Sequence, residues 1–164
     1  MPYDGFSIVG RPSYENNLFY VVGSIRQYHF CVYAVRPGNG RLQENEIVWA
    51  YSKSVPHVPS PLLVDKEIYF VHDGGVATCI DALTGKRIRQ ERLGGNHDAS
   101  PIEIRGRLYF VNREGKTTVL AARRKFNLLA TNQLDGTFKA SPAVADGALF
   151  LRNGTHLFRI EAKS

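Results

Sequence analysis

The sequence predicts an all-β fold assembled from repeated four-stranded antiparallel meanders. Three observations lead there. Between Ser60 and Leu93, three apolar runs are each broken off by a turn signal of the tight-hairpin kind, Asp65-Lys66, Asp73-Gly74-Gly75 and Thr84-Gly85-Lys86, which describes four strands. The unit then recurs, opened each time by a proline at Pro61, Pro101 and Pro142. A further copy begins at Pro12, which precedes Tyr20 by the same step that separates Pro61 from Tyr69 and Pro101 from Tyr109. A period of about 40 residues, filled by short strands without helical periodicity, marks the blades of a propeller.

Taken in order, Phe6–Val9 is expected to be a short strand belonging to no complete unit at its own end of the chain. The first unit should run through Leu18–Val22, Phe30–Val35 and Ile47–Tyr51, with Asn16-Asn17 as its first turn. Its extra length lies in two loops, Ser24–His29 and Pro37–Asn45, the second opened by the turn cluster Pro37-Gly38-Asn39-Gly40. The second unit supplies Pro61–Val64, Glu67–Val71, Val76–Asp81 and Arg87–Leu93; the third, Pro101–Ile104, Arg107–Val111, Thr117–Ala121 and Phe126–Gln133. The last offers only Pro142–Val144, Ala148–Leu151 and His156–Ile160, and so lacks an outer strand that Phe6–Val9 is a candidate to supply. One domain over residues 1–164 results, with blades near 12–58, 59–98, 99–139 and 140–164.

The second strand of each unit reads LFYVV, IYFV, LYFV or ALFL, continuous apolar runs expected to be buried on both faces. Tyr69, Tyr109 and Phe150 should therefore be equivalent core residues, each at one step from its unit's proline. Flat apolar faces are expected at both ends of the array, which favours an open half-ring completed by further blades or by a second copy.

Composition narrows the function classes. With 43% hydrophobic and 22% charged residues in 164, the chain is globular, and no apolar run approaches the roughly 20 residues that span a bilayer. The N-terminus MPYDGFSIVG carries no signal-peptide pattern. The net charge of +6 includes two basic runs, Lys86-Arg87-Ile88-Arg89 with Arg92, and Arg123-Arg124-Lys125. The first alternates with Ile88 as a solvent-facing outer strand does, and no interleaved aromatics would stack on bases, so nucleic acid is not the expected partner. Cys31 and Cys79 fall inside apolar strands of different units, as buried thiols rather than a disulfide or metal pair.

The residues also resemble a known family, the pyrroloquinoline-quinone-like repeat propellers. Asp81-Ala82-Leu83-Thr84-Gly85-Lys86 is similar to that family's Asp-Ala-x-Thr-Gly-Lys turn, and Ile47-Val48-Trp49 to the end of a blade that docks a tryptophan on its neighbour. The stretch from Gly115 to Glu161 resembles the C-terminal repeats of a non-catalytic, BamB-like branch of outer-membrane assembly scaffolds. Only the first unit has such a tryptophan; Ile88 stands in the strand after Thr84-Gly85-Lys86, and Arg123-Arg124-Lys125 replaces the Thr-Gly turn in the third. The resemblance implies seven or eight blades in a closed member, of which this chain supplies about half, and a periplasmic or extracellular location.

Catalytic members of that family hold a quinone over calcium, with an aspartate base and two adjacent cysteines. Here no cysteines are adjacent, and Asp65, Asp73 and Asp146 fall in turns, where Asp is favoured for its own backbone hydrogen bonds. No catalytic, cofactor or metal residue is therefore assigned. His72-Asp73 and His97-Asp98 do not have zinc-ligand spacing and are expected to be solvated loop histidines on different edges of the sheet stack. Asn153-Gly154-Thr155 fits a glycosylation pattern but reads as a hairpin turn. The expected function is a non-enzymatic scaffold that binds other proteins; a fragment of a quinone-dependent dehydrogenase and a sensor ectodomain are the alternatives.

Overall fold

The computed structural model describes residues 9–24, 30–40, 43–123 and 126–161. Fifteen strands among these form four antiparallel sheets, each paired in chain order. The first holds β1 (Ser13–Glu15), β2 (Leu18–Ser24), β3 (Phe30–Val35) and β4 (Ile47–Tyr51). The second holds β5 (Leu62–Val64), β6 (Glu67–Val71), β7 (Val76–Asp81) and β8 (Arg87–Arg92). The third holds β9 (Ile102–Ile104), β10 (Arg107–Val111), β11 (Lys116–Ala121) and β12 (Leu128–Gln133). The last has three strands, β13 (Ala143–Ala145), β14 (Ala148–Arg152) and β15 (Leu157–Ile160). The strand expected over Phe6–Val9 lies outside the described residues apart from Val9, which is exposed and in no strand. Residues 25–29 of the first loop lie outside them too, and the described part of the second contains a 3₁₀ turn, Glu44–Glu46.

Turn chemistry fixes the register. Asn16-Asn17, Arg105-Gly106 and Asp146-Gly147 put both central residues at positive φ, the mirror-image geometry that matches strand twist in a two-residue hairpin. Tyr20, Tyr69, Tyr109 and Phe150 consequently hold one register position, opposite Ser13, Leu62, Ile102 and Ala143.

Each sheet then packs on the next. Tyr20, Val22, Val32 and Ala34 of the first meet Ile68, Phe70 and Ile80 of the second, with Tyr51 edge-on to Phe70 at 5.8 Å. Tyr69, Val71, Ala77 and Cys79 of the second meet Leu108, Phe110 and Leu120 of the third. The core thus lies between sheets rather than in one central mass. Cys79 and Cys31 are both buried and are not joined in a disulfide.

A ladder of hydrogen bonds spaces the inner strands. The residue before each opening proline donates its backbone N–H to the hydroxyl of its equivalent in the next unit: Arg11 to Ser60 at 2.9 Å, Ser60 to Ser100 at 2.9 Å, Ser100 to Ser141 at 3.0 Å. Pro12, Pro61, Pro101 and Pro142 directly follow these rungs and, having no N–H, add no competing donor.

Farther out, the joints differ. Trp49 donates its indole N–H to Ala82 O at 3.0 Å and lies on Gly85, where an added Cβ would come within 2.7 Å of Trp49 Cδ2. Asp81 shapes that turn, its Oδ1 accepting from the N–H groups of Leu83 and Thr84 and from the Thr84 hydroxyl. By register the position matching Trp49 is Arg89 in the second sheet and Ala130 in the third, and Ile88 matches Val48, since all three sheets carry a bulge at the same place. Between the second and third sheets the joint is made instead by Phe126 and by Tyr69. The Tyr69 hydroxyl donates to Glu67 and accepts the Arg123 N–H at 2.8 Å, and burial drives its pKa far above the ordinary phenol value. Phe126 has φ +51° and is buried, which explains why the outer strand begins at Leu128 and not at Phe126.

Trp49→Ala is expected to cost about 3–5 kcal/mol, and Trp49→Phe about 1 kcal/mol for the lost hydrogen bond plus part of the packing, in urea unfolding. Gly85→Ala should be destabilising as well, since its φ of +68° and the indole both oppose a Cβ. An unchanged midpoint for Gly85→Ala would show that the indole does not dock there.

Candidate interaction site

The contact between the third and last sheets is of another kind. Its floor is apolar: Val111, Phe138 and Ala99 meet Leu151, with Leu134, Leu149 and Phe158 packed around them. Above that floor the sheets separate into a cleft of about 920 Å³ bordered by Tyr109, Asn132, Val144, Leu149 and Ile160, with Arg105 and Arg107 at one rim. A smaller hollow of about 400 Å³ continues along β12 past Leu129 and Ala130. Among the described residues no tryptophan fills this joint, because Trp49's counterpart is Ala130.

The surrounding surface is left open. Every residue of β12 is exposed, Leu128 at 65%, and Leu157 on β15 is exposed at 69%; Leu129, Val144 and Ile160 are exposed too. Among the described residues β15 has no outer neighbour, so its edge N–H and C=O groups are unpaired by any strand.

Equal burial of the three repeat aromatics does not hold. Tyr69 is 1% exposed, whereas Tyr109 and Phe150 are half-buried, because Tyr109 borders the cleft and no described sheet covers Phe150. An apolar face at the end of the array does not hold either. Positions held by Tyr69, Val71, Ala77 and Cys79 in the second sheet are held by Phe150, Arg152, Leu157 and Arg159 in the last, by register. Two guanidiniums thus stand where a dry inter-sheet contact would need small apolar groups. Arg159 pairs with Glu161. The other end of the array is apolar, with Cys31, Tyr33 and Val35 clustered with Val21 and Ile47.

The histidines are arranged otherwise than expected. His97 is 1% exposed and not solvated, and its backbone N–H reaches Asp73 O at 2.8 Å, so the His72-Asp73 turn and His97 share one edge. In an up-and-down meander, the turn after the second strand and the connection to the next sheet come out on the same side. His57, His97 and Phe138 each stand three residues before a ladder serine, and the last two plug their joints. His57 lies 3.2 Å from the Asp73 carboxylate and meets Phe30 in a tilted ring contact with 4.3 Å between ring centres. His97 holds Gly94 O at 3.2 Å through Nε2, while Nδ1 has no hydrogen-bond partner among the described residues. Burial pushes its pKa below the ordinary imidazole value, with Glu114 opposing and Lys116 reinforcing that direction. Asp98 is taken up by a two-pronged bond from Arg113 at 2.6 and 2.7 Å. Asn153 is buried and shapes its own turn, accepting from the Thr155 and His156 N–H groups and donating to Asp135 O. Among the described residues no group of three or more His, Cys, Asp or Glu side chains is placed to hold a metal ion.

No protein-family model and no curated protein matches the chain. Solved structures do. BamB from Moraxella catarrhalis superposes with a TM-score of 0.68 at 12% identity, over 89% of this chain and 40% of that one. The quinohemoprotein alcohol dehydrogenase ADHIIG from Pseudomonas putida HK5 gives 0.70 at 16% identity, over 92% and 29%. A europium-containing methanol dehydrogenase gives 0.60 at 16%, over 76% and 24%. The chain therefore spans less than half the length of each of these proteins, and its four sheets match part of a propeller.

The buried His97 makes stability pH-dependent. A folded-state pKa below the unfolded value of about 6.5 means that below that pH the unfolded chain binds more protons. Stability should be full above about pH 6.5 and fall as the pH drops toward the folded-state value. His97→Phe, which copies Phe138, should flatten that part of the profile in thermal unfolding; an unchanged slope would clear His97 of the effect.

Proposed function

We propose that the chain is a non-enzymatic propeller module that binds other proteins. What supports this reading most is that exposed Val144 and Ile160 line the cleft between the third and last sheets, with exposed Leu129 on the hollow that continues it along β12. Scattered apolar residues on a surface are ordinary, but a contiguous group beside an open strand edge is what a protein-binding surface needs. The likeness to BamB fits a scaffold, and by resemblance the module works in the periplasm or outside the cell. Completion of the ring by further blades or by a second copy belongs to the same reading, although a blade seated on the last sheet would have to accommodate Arg152 and Arg159.

The likeness to the two dehydrogenases supports a second reading, a piece of a quinone enzyme whose ligand-bearing blades lie elsewhere. Two measurements separate these. Titration with pyrroloquinoline quinone and calcium should give no bound-quinone absorbance and no alcohol-dependent dye reduction; saturable absorbance with turnover would favour the enzyme. A photo-crosslinking residue at position 144, on the cleft wall, should trap a discrete protein adduct that the same residue at position 91, on β8, does not. Equal labelling from both positions would remove the surface as a binding site.

A further inference from the structure

We infer that the groove between the outer strands of the second and third sheets is a binding site for an aromatic α-amino acid, a ligand class that lies beyond the protein-binding reading above. The groove, of about 360 Å³, is bordered on one side by Glu91 and on the other by Lys116, Thr118, Leu120, Phe126 and Leu128. Both walls belong to four-stranded sheets in the middle of the chain. The joint between the first and second sheets closes the same place. There Tyr51 lies edge-on to Phe70, ring centres 5.8 Å apart, with the Arg87 guanidinium near its hydroxyl. Arg87 donates to Gln90 Oε1 at 3.3 Å, and Gln90 donates to Thr78 Oγ1 at 3.1 Å. By register the next joint has Glu91 for Tyr51, Leu128 for Arg87 and Thr131 for Gln90. Leu128 carries no polar group and Thr131 is much smaller than glutamine, so the gap stays open. Phe126 fills only the inner part. Its ring centre lies 6.1 Å from that of Tyr69, as Trp49 lies 6.0 Å from Tyr20, so it stands in for the tryptophan and leaves the space of the Tyr51 ring unfilled.

The groove has an apolar end and a charged end. Leu120 and Phe126 are buried beneath it and exposed Leu128 stands beside it, so a ring laid where Tyr51 lies in the first joint meets hydrocarbon. Such a ring gains apolar burial and a ring contact. Glu91 is in register with Ala77, which packs toward the third sheet, and Lys116 alternates in line with Thr118 and Leu120, so the two charges face each other across the groove. The matching position to Glu91 is tyrosine in the first sheet, and that to Lys116 is Val76 in the second, so both charges are particular to this joint. Among the described residues neither makes an ion pair. Lys116 Nζ donates to Leu93 O at 3.2 Å, which leaves N–H groups for a ligand. An α-amino acid matches the pair: its carboxylate accepts from Lys116 and its ammonium donates to Glu91, with the ring running toward Phe126. Arg92, which also borders the groove, adds positive charge on the carboxylate's side of the balance. A volume near the lower bound for small-molecule sites suits one amino acid rather than a longer ligand.

The test is an NMR titration of the full chain, read in its backbone amide shifts, with L-phenylalanine, phenylpropionate, phenethylamine and L-alanine. L-phenylalanine should give saturable shifts at Glu91, Lys116, Thr118 and Leu128. It should bind about three- to fivefold more tightly than phenylpropionate or phenethylamine, each of which lacks one of the two charges. L-alanine, which has no ring, should not saturate. Glu91→Tyr, which copies Tyr51 at an exposed position, should close the groove and abolish the shifts while the melting temperature holds or rises. Two milder variants leave the groove open. Glu91→Gln should erase the advantage of L-phenylalanine over phenylpropionate, and Lys116→Val, which copies Val76, its advantage over phenethylamine. No saturable shift with L-phenylalanine, equal affinity for the singly charged analogues, or shifts unaltered in folded Glu91→Tyr would overturn the inference. Shifts centred on Tyr109 and Val144, which border the other cleft, would overturn it as well. The crosslink at position 144 reads the protein-binding module separately, so failure of one leaves the other standing.

Discussion

The hydrogen bond from one unit's backbone to the next unit's serine hydroxyl sets the spacing on which the rest of the structure depends. Arg11 to Ser60, Ser60 to Ser100 and Ser100 to Ser141 repeat it at 2.9 to 3.0 Å. With the inner strands held at that step, the sheets are brought face to face, and each joint must be filled by whatever side chains the sequence places there. One neutral hydrogen bond contributes about 1 kcal/mol, so the ladder positions the sheets more than it holds them. Holding falls to the apolar faces: Tyr20 and Val22 on Ile68 and Phe70, then Tyr69 and Val71 on Leu108 and Phe110.

The joints weaken along the chain for an identifiable reason. The first has an indole docked on a glycine turn, the second a buried phenylalanine and a tyrosine bridging Glu67 and Arg123, and the third an apolar floor under an open cleft. The faces change in step. At one pair of register positions the side chains run Val22 and Ala34, Val71 and Cys79, Val111 and Val119, then Arg152 and Arg159. Terminal repeats of an array commonly carry a polar outer face, which keeps the end from stacking on another copy. Here, among the described residues, the same arginines stand beside the edge of β15 that no other strand covers.

Much of this was legible in the sequence. Phe30–Val35, Ile47–Tyr51, Glu67–Val71, Val76–Asp81 and Arg107–Val111 have the bounds that their flanking turn residues indicate, because Asn, Asp and Gly at positive φ leave the hairpin little freedom. The face gradient was not, although its residues were in plain view. The run Ala148–Leu151 looks buried on both faces, and only the register shows that Arg152 and Arg159 share a side with Phe150. His97 was misplaced because a loop position next to Asp98 suggests solvent, whereas its equivalence to Phe138 marks it as a plug. The serine ladder left no signal but a recurrent Ser before Pro, since a bond across about 40 residues has no local pattern.

Hydrogen–deuterium exchange resolved by strand tests the account most directly, because amide protection reads how firmly each sheet is held. Weakening joints predict the slowest exchange in β6 and β7, intermediate exchange in β10 and β11, and rapid exchange in β12 and at the open edge of β15 in the isolated chain. Protection of Leu157–Ile160 equal to that of Val76–Asp81 would contradict it, since that edge would then be covered and the last joint as tight as the first.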